Sequence, residues 1–245
     1  GNPCPVVDQS TGRIWLLLTH NRGKDHESDI IKKKSKGTRT VWVTYSDDDG
    51  LTWQDPKEIT QSTKWNSWGW YATGPGVGIQ IQNGPHAGRL VIPCDHSYDD
   101  PKGKVRGGPF EYGAHAIYSD DHGETWNLGT AITPKVNECQ VVELADGEGT
   151  LLMDMRSYFG RNRRTHAISL DGGHTWSSPR DAPDLIEPIC QASIIRHSWP
   201  KGKRPGYLAF SNPASKKRER MTIRLSEDDG IHWPHSRLLF NGPSA

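Results

Sequence analysis

An arginine at position 156 stands inside the apolar run "LLMDMRSY", where strand filler would be aliphatic. A guanidinium in such a place needs an anion, either a carboxylate in a structural ion pair or the acidic group of a ligand. Carboxylates occupy comparable positions: Glu138 opens the strand-like "NECQVVEL", and Asp95 follows the apolar "LVIPC" with His96 beside it. "SKKRERMTIRL" offers Arg218 and, two residues on, Arg220, while Glu27 follows "GKDH" in a polar stretch. Carboxyl groups exchange protons and arginines hold oxyanions by bidentate hydrogen bonds, so these types suit an acidic substrate. Plainer readings exist for each: a strand-start acid for Glu138, a surface turn for Asp95 and His96, an exposed loop acid for Glu27.

Metal chemistry has no support. Cys4, Cys94, Cys139 and Cys190 lie far apart without a CxxC pair, and three of them sit in strand-like runs where a buried free thiol is expected. Neither a metal nor another cofactor is called for, and no redox compartment follows from the thiols.

A second group of carboxylates recurs at fixed spacing. "YSDDDGLTW" ending at Trp53 is nearly repeated as "YSDDHGETW" ending at Trp126, then as "ISLDGGHTW" ending at Trp176 and "LSEDDGIHW" ending at Trp233. The shared frame is Ser-x-Asp-x-Gly-x-Thr-Trp, with His232 in place of Thr in the last copy. Each copy follows an alternating apolar segment, so it reads as strand, tight turn, strand. Asp folds its carboxylate onto turn amides, Gly takes a positive φ, and Trp covers the hairpin. Turn chemistry accounts for every position, and no catalytic role is assigned to these Asp residues.

The elements that must position the first group are therefore strands. Apolar alternation predicts Ile14–Thr19, Thr40–Ser46, Gly78–Gln82, Arg89–Pro93, His115–Ser119, Gln140–Leu144, Thr150–Met155, Thr165–Ser169, Ala192–Arg196, Gly206–Ser211 and Met221–Ser226. With a recurring Trp hairpin, this describes an all-β propeller in one domain over residues 1–245, with about four blades. Thirty basic against 29 acidic residues leave a formal charge of +1, which gives no general field for nucleic acid or an acidic membrane. No apolar run has the roughly 18 residues a membrane span requires.

Beyond the four repeats, "NPCPVVDQSTGRIWLLLTHN", "WGWYATGPGVGIQIQNGPHAGRLVIPCDH", "NECQVVELADG" and "LAFSNPAS" occur in an order that resembles the sialidase (neuraminidase) family. The resemblance covers essentially the whole chain. It implies the six-bladed sialidase propeller, here an incomplete set of blades, and an exo-α-sialidase acting on sialylated glycans by a retaining mechanism. Such enzymes hold the substrate carboxylate with three arginines and use a tyrosine nucleophile whose proton passes to a glutamate. Residue by residue, Glu138 matches that glutamate, Arg156 the second arginine and Arg218 the third, with Arg220 as the alternative. Asp95 and His96 fall where the family recognises the sugar's side chains, and Glu27 where the glycerol tail is reached. Trp68, Trp70 and Tyr71 offer an aromatic wall or core packing. The first arginine, the acid/base aspartate and the Tyr-Ser-Asp-Leu nucleophile are expected before Gly1 and after Ala245. A non-catalytic glycan-binding propeller and a slow hydrolase using Glu138-activated water are the alternatives; the substrate class favours an extracellular or periplasmic setting.

Overall fold

Seventeen strands build four antiparallel sheets in the computed structural model, which describes residues 1–245. The first sheet holds β1 (Cys4–Val7), β2 (Ile14–His20), β3 (Thr40–Ser46) and β4 (Lys57–Glu58) in chain order. The second holds β5 (Tyr71–Thr73), β7 (Leu90–Asp99), β8 (Phe110–Ser119) and β9 (Asn127–Leu128), with β6 (Ile79–Gln80) also paired to β7. The third is β10 (Val136–Glu143), β11 (Leu151–Ser157), β12 (Arg163–Ser169) and β13 (Arg180–Ile186). The fourth is β14 (Ser193–Ser198), β15 (Tyr207–Pro213), β16 (Glu219–Ser226) and β17 (His235–Pro243). These are four blades of a β-propeller.

Adjacent residues of a strand point to opposite faces, so a blade covered on both sides feeds two cores at once. Ile92 joins Leu17, Val41 and Trp126 between the first and second sheets, whereas its neighbour Val91 joins Val141 and Met153 between the second and third. Val142 and Leu152 turn the other way, onto Leu208 and Phe210 of the fourth. The cores explain why the central strands read as apolar runs. The strands absent from the sequence reading, such as β4, β9 and β17, are short or lie at sheet edges, where alternation is weak.

The four repeats occupy equivalent hairpins, between the third and fourth strands of each sheet. Asp121 shows the pattern: Oδ1 accepts from Thr125 N at 2.9 Å, Oδ2 from Thr125 Oγ1 at 2.6 Å, and Ser119 Oγ accepts from Gly123 N at 2.8 Å. The same bonds recur at Asp48 and Asp171, and His232 Nδ1 meets Asp228 Oδ2 at 2.7 Å in place of the missing Thr hydroxyl. The turn needs left-handed backbone at two successive residues, for example His122 at φ 60° and Gly123 at 94°. Trp126 is buried against Trp15, while Trp53 at the corresponding place is 41% exposed. The expectation that these carboxylates serve turns is borne out.

Candidate active site

Register separates the repeat hairpins from the first group of charged residues. β7 pairs with β8 from Leu90 opposite Ser119, beside the repeat turn, to Asp99 opposite Phe110 at the far end. Both strands run further toward that far end than alternation suggests, because Asp95, His96 and Ser97 are polar yet fully paired and buried. At the same end β10 begins with Val136 opposite Ser157 of β11.

A β-bulge lies there. Val136 pairs with Ser157 and Cys139 with Met155, so Asn137 and Glu138 together face Arg156. An extra residue in one strand re-aims side chains that would otherwise alternate. Asn137 Nδ2 donates to Asp95 Oδ1 at 2.9 Å, and Arg156 Nη1 donates to Glu138 Oε2 at 2.7 Å. Arg156 also sits 5.0 Å above the ring of Tyr158, and its Nε is buried without a protein partner.

Asp95 is completely buried, and its Oδ2 has no partner. Burial, followed by the charge of Glu138, raises its pKa well above the usual carboxylate range. Arg39 and Arg156 oppose that shift and Glu27 adds to it, so these charges share one neighbourhood. Arg39, the residue before β3, is buried with Cζ 3.8 Å over Trp70 and Nη2 donating to Asn2 Oδ1 at 2.7 Å. Its Nε and Nη1 are unpartnered. Lys64 fixes the backbone beneath it, donating from Nζ to Arg39 O at 2.8 Å, Thr38 Oγ1 at 2.6 Å and Gly69 O at 2.9 Å.

Glu27 begins a short helix, α1 (Glu27–Ile31), which Ile30 and Ile31 anchor in the interior. Its carboxylate accepts from Tyr112 OH at 2.7 Å and Arg106 Nη2 at 3.0 Å. Burial, then Tyr112's proximity to Glu27, raises the Tyr112 phenol, and Tyr158 is pushed up to about 12, first by burial. Both tyrosines therefore hold their protons at neutral pH.

Arg218 is exposed just ahead of β16, where Nη2 donates to Ile189 O at 3.2 Å. The charges of both Arg218 and Arg156 act on Cys190 next to that carbonyl. Arg220 lies in a bulge of β16 and turns to Asn241 of β17, with Nη1 and Oδ1 3.3 Å apart. Neither guanidinium bonds to Glu138 or Asp95.

His96 departs from the expectation that it meets a ligand. Next to Asp95 on β7, it points to the opposite face, stacks on Trp68 at 3.6 Å between centroids and meets His115 through their Nδ1 atoms at 2.9 Å. It is 0% exposed, a core histidine. Trp68 and Tyr71 are core residues too, leaving Trp70 under Arg39 as the aromatic nearest the charged cluster. Glu138, Arg156, Asp95 and Glu27 are thus brought together with Arg39, Asn137, Tyr112, Tyr158 and Arg106, which the sequence reading did not single out.

Residues 1–245 match the BNR repeat-like domain family. The sialidase of Micromonospora viridifaciens is 37% identical over 250 residues, covering 98% of this chain and 36% of that protein. Sialidase-3 of Mus musculus is 31% identical over 255 residues, covering 100% of this chain and 59% of that protein. Among solved structures, the Hadza microbial sialidase Hz136 superposes with a TM-score of 0.79 at 33% identity, over 99% of this chain and 46% of that one. The chain spans 36% to 59% of the length of these three proteins.

Proposed function

The chain belongs to the BNR repeat-like domain family, with sialidases among its relatives, and from that premise we propose that its charged cluster is a sialoside site of a retaining exo-α-sialidase, acting on terminal sialic acids of glycoconjugates. The observation that carries this reading is the convergence of Glu138 and Arg156 across one bulge, beside Asp95 and two protonated tyrosines. Arg156 receives the sugar carboxylate, with its buried Nε as a free donor and Arg218 approaching from the fourth sheet. Glu138 takes the proton of the attacking group. The nucleophile that the resemblance implies is a tyrosine of a Tyr-Ser-Asp-Leu run, not Tyr112 or Tyr158, and a neutral phenol is not driven against the substrate's own carboxylate as an anionic nucleophile would be. Asp95, whose burial raises its pKa, lies beside this pair with an unpartnered Oδ2 that serves the sugar's substituents.

A second reading rests on the side-chain exposure of Glu138, 25%, which lets water reach it. Water activated by this carboxylate then attacks a substrate held by the arginines. A fluorogenic sialoside assay with calorimetric titration of sialyllactose tests both. The expected result is binding that Arg156→Ala weakens, with any turnover lost in Glu138→Gln while binding remains. Turnover indifferent to both changes would remove the site assignment.

A further inference from the structure

The cavity beside Arg156 carries more positive charge than one sugar carboxylate requires. It encloses about 620 Å³ and is lined by Lys102, Lys104, Arg106, Lys135, Glu111 and Tyr158, among others. Two of its cations are already committed, Arg156 to Glu138 and Arg106 to Glu27. Lys102, Lys104 and Lys135 make no ion pair and are exposed, and the only acid lining the same cavity is the buried Glu111. Lys135 Nζ lies 6.0 Å from the centre of the Phe159 ring, so none of the three ammonium groups is neutralised by an acid, and three against one carboxylate stand out in a chain whose formal charge is only +1.

Their backbone supports this arrangement. Lys102 and Lys104 belong to the connection between β7 and β8, the hairpin that reaches past the site. Lys135 adopts a left-handed φ of 62°, which is uncommon for a residue with a side chain. It is pinned there from both sides: its N donates to Tyr112 O at 3.1 Å, and its O accepts from Tyr158 N at 2.8 Å. The two tyrosines that line the cavity thus fix the ammonium-bearing residue at its mouth.

We propose that Lys102, Lys104 and Lys135 form a second anion subsite, which selects glycans carrying another negative group, a carboxylate or a sulfate ester, beside the sialic acid held at Arg156. The proposal rests on the sialoside reading of the central site. Exposed ammonium groups attract an anion over about a Debye length and cost little desolvation, so the effect is moderate and sensitive to salt.

The test titrates the 245-residue chain calorimetrically, at low and at physiological salt, with sialyllactose, a disialyl oligosaccharide and a sulfated sialyllactose. Both dianionic ligands are expected to bind about three- to tenfold more tightly than sialyllactose at low salt, with a smaller gain at high salt. In K102Q/K104Q/K135Q the gain disappears while sialyllactose affinity stays within about twofold. The double variant K102Q/K104Q, confined to an exposed connection, serves if the triple variant does not fold, and it should lose part of the gain. A gain for one dianionic ligand alone still supports the subsite and identifies its anion as carboxylate or sulfate. Equal affinity for all three ligands overturns the subsite and leaves the sialoside reading standing; no binding of any ligand overturns both. Equally tight binding of a DNA oligonucleotide would overturn the subsite as well, by showing a general polyanion surface.

Discussion

Arg156 Nη1 donates to Glu138 Oε2 at 2.7 Å because a bulge in β10 sets two residues, Asn137 and Glu138, opposite one on β11. The bulge also sends Asn137 to Asp95, so a single irregularity ties together the guanidinium, the carboxylate and the buried acid. Regular pairing would have alternated Asn137 and Glu138 to opposite faces. The repeat hairpins, at the other end of the strands, keep their geometry independently of this end.

That separation makes the consequences of mutation distinct. Arg156→Ala should weaken sialyllactose binding by about 1.5–3 kcal/mol, the range for hydrogen bonds to charged groups. Arg156→Lys should not restore it, since an ammonium lacks the planar fork that pairs with a carboxylate. Calorimetry decides the matter, and unchanged affinity in the alanine variant would exclude Arg156 as the carboxylate contact.

Asp171→Ala should act on stability alone. It removes the bonds from Thr175 N at 2.8 Å and Thr175 Oγ1 at 2.5 Å in a half-exposed turn, at a cost of about 1–2 kcal/mol. Chemical denaturation should show a lower midpoint, and titration an unchanged sialoside affinity. A loss of affinity without a loss of stability would bring the repeat turns back into the function.

The contrast between the two ends also explains what the sequence could show. The repeat turns are local: Ser, Asp, Gly and Thr within a few residues satisfy one another, so their spelling is their structure. The central strands were legible because each is apolar enough to feed two cores. Glu138 and Arg156 were legible as charges in strands, and the resemblance implied that both serve one site, while their ion pair comes from the bulge. Arg39, Tyr112 and Tyr158 were not, because their neighbourhood is made by distant segments: Glu27 meets Tyr112 across 85 positions. His96 differs from its neighbour for a simple reason. Its neighbour Asp95 does face the charged cluster, and one step along a strand reverses the face.

Asp95 gives a prediction with a defined sign. Its folded pKa lies above the unfolded value because burial, then Glu138, disfavours the charge. Its contribution is therefore fully present below the unfolded value, about 3.9, and is lost as pH rises through the folded value. Asp95→Asn removes this loss. Denaturation free energies measured from pH 4.5 upward should rise more steeply with pH in the variant than in the wild type, by up to one proton, about 1.4 kcal/mol per pH unit. Parallel curves would mean that Asp95 is ionised in the folded protein.

The pair His96 and His115 should act in the opposite direction. Both are buried, chiefly disfavouring the charged ring: His115 is lowered to about 3 and His96 well below its ordinary value, the latter also by His115 and Lys64. Because the folded values are depressed, the neutral pair contributes stability above the unfolded value, about 6.5, which is lost as pH falls. In that window the unfolded chain binds up to two protons that the folded chain refuses, a slope of at most about 2.7 kcal/mol per pH unit. Replacing both by phenylalanine keeps rings of similar shape against Trp68 and Tyr71 and removes the titration. Between pH 6.5 and 4.5, where most carboxylates remain ionised, the double variant should therefore lose less stability than the wild type on acidification. The same slope in both proteins would show that the buried histidines accept protons without unfolding, and that water reaches a core which the packing of Trp68 on His96 closes.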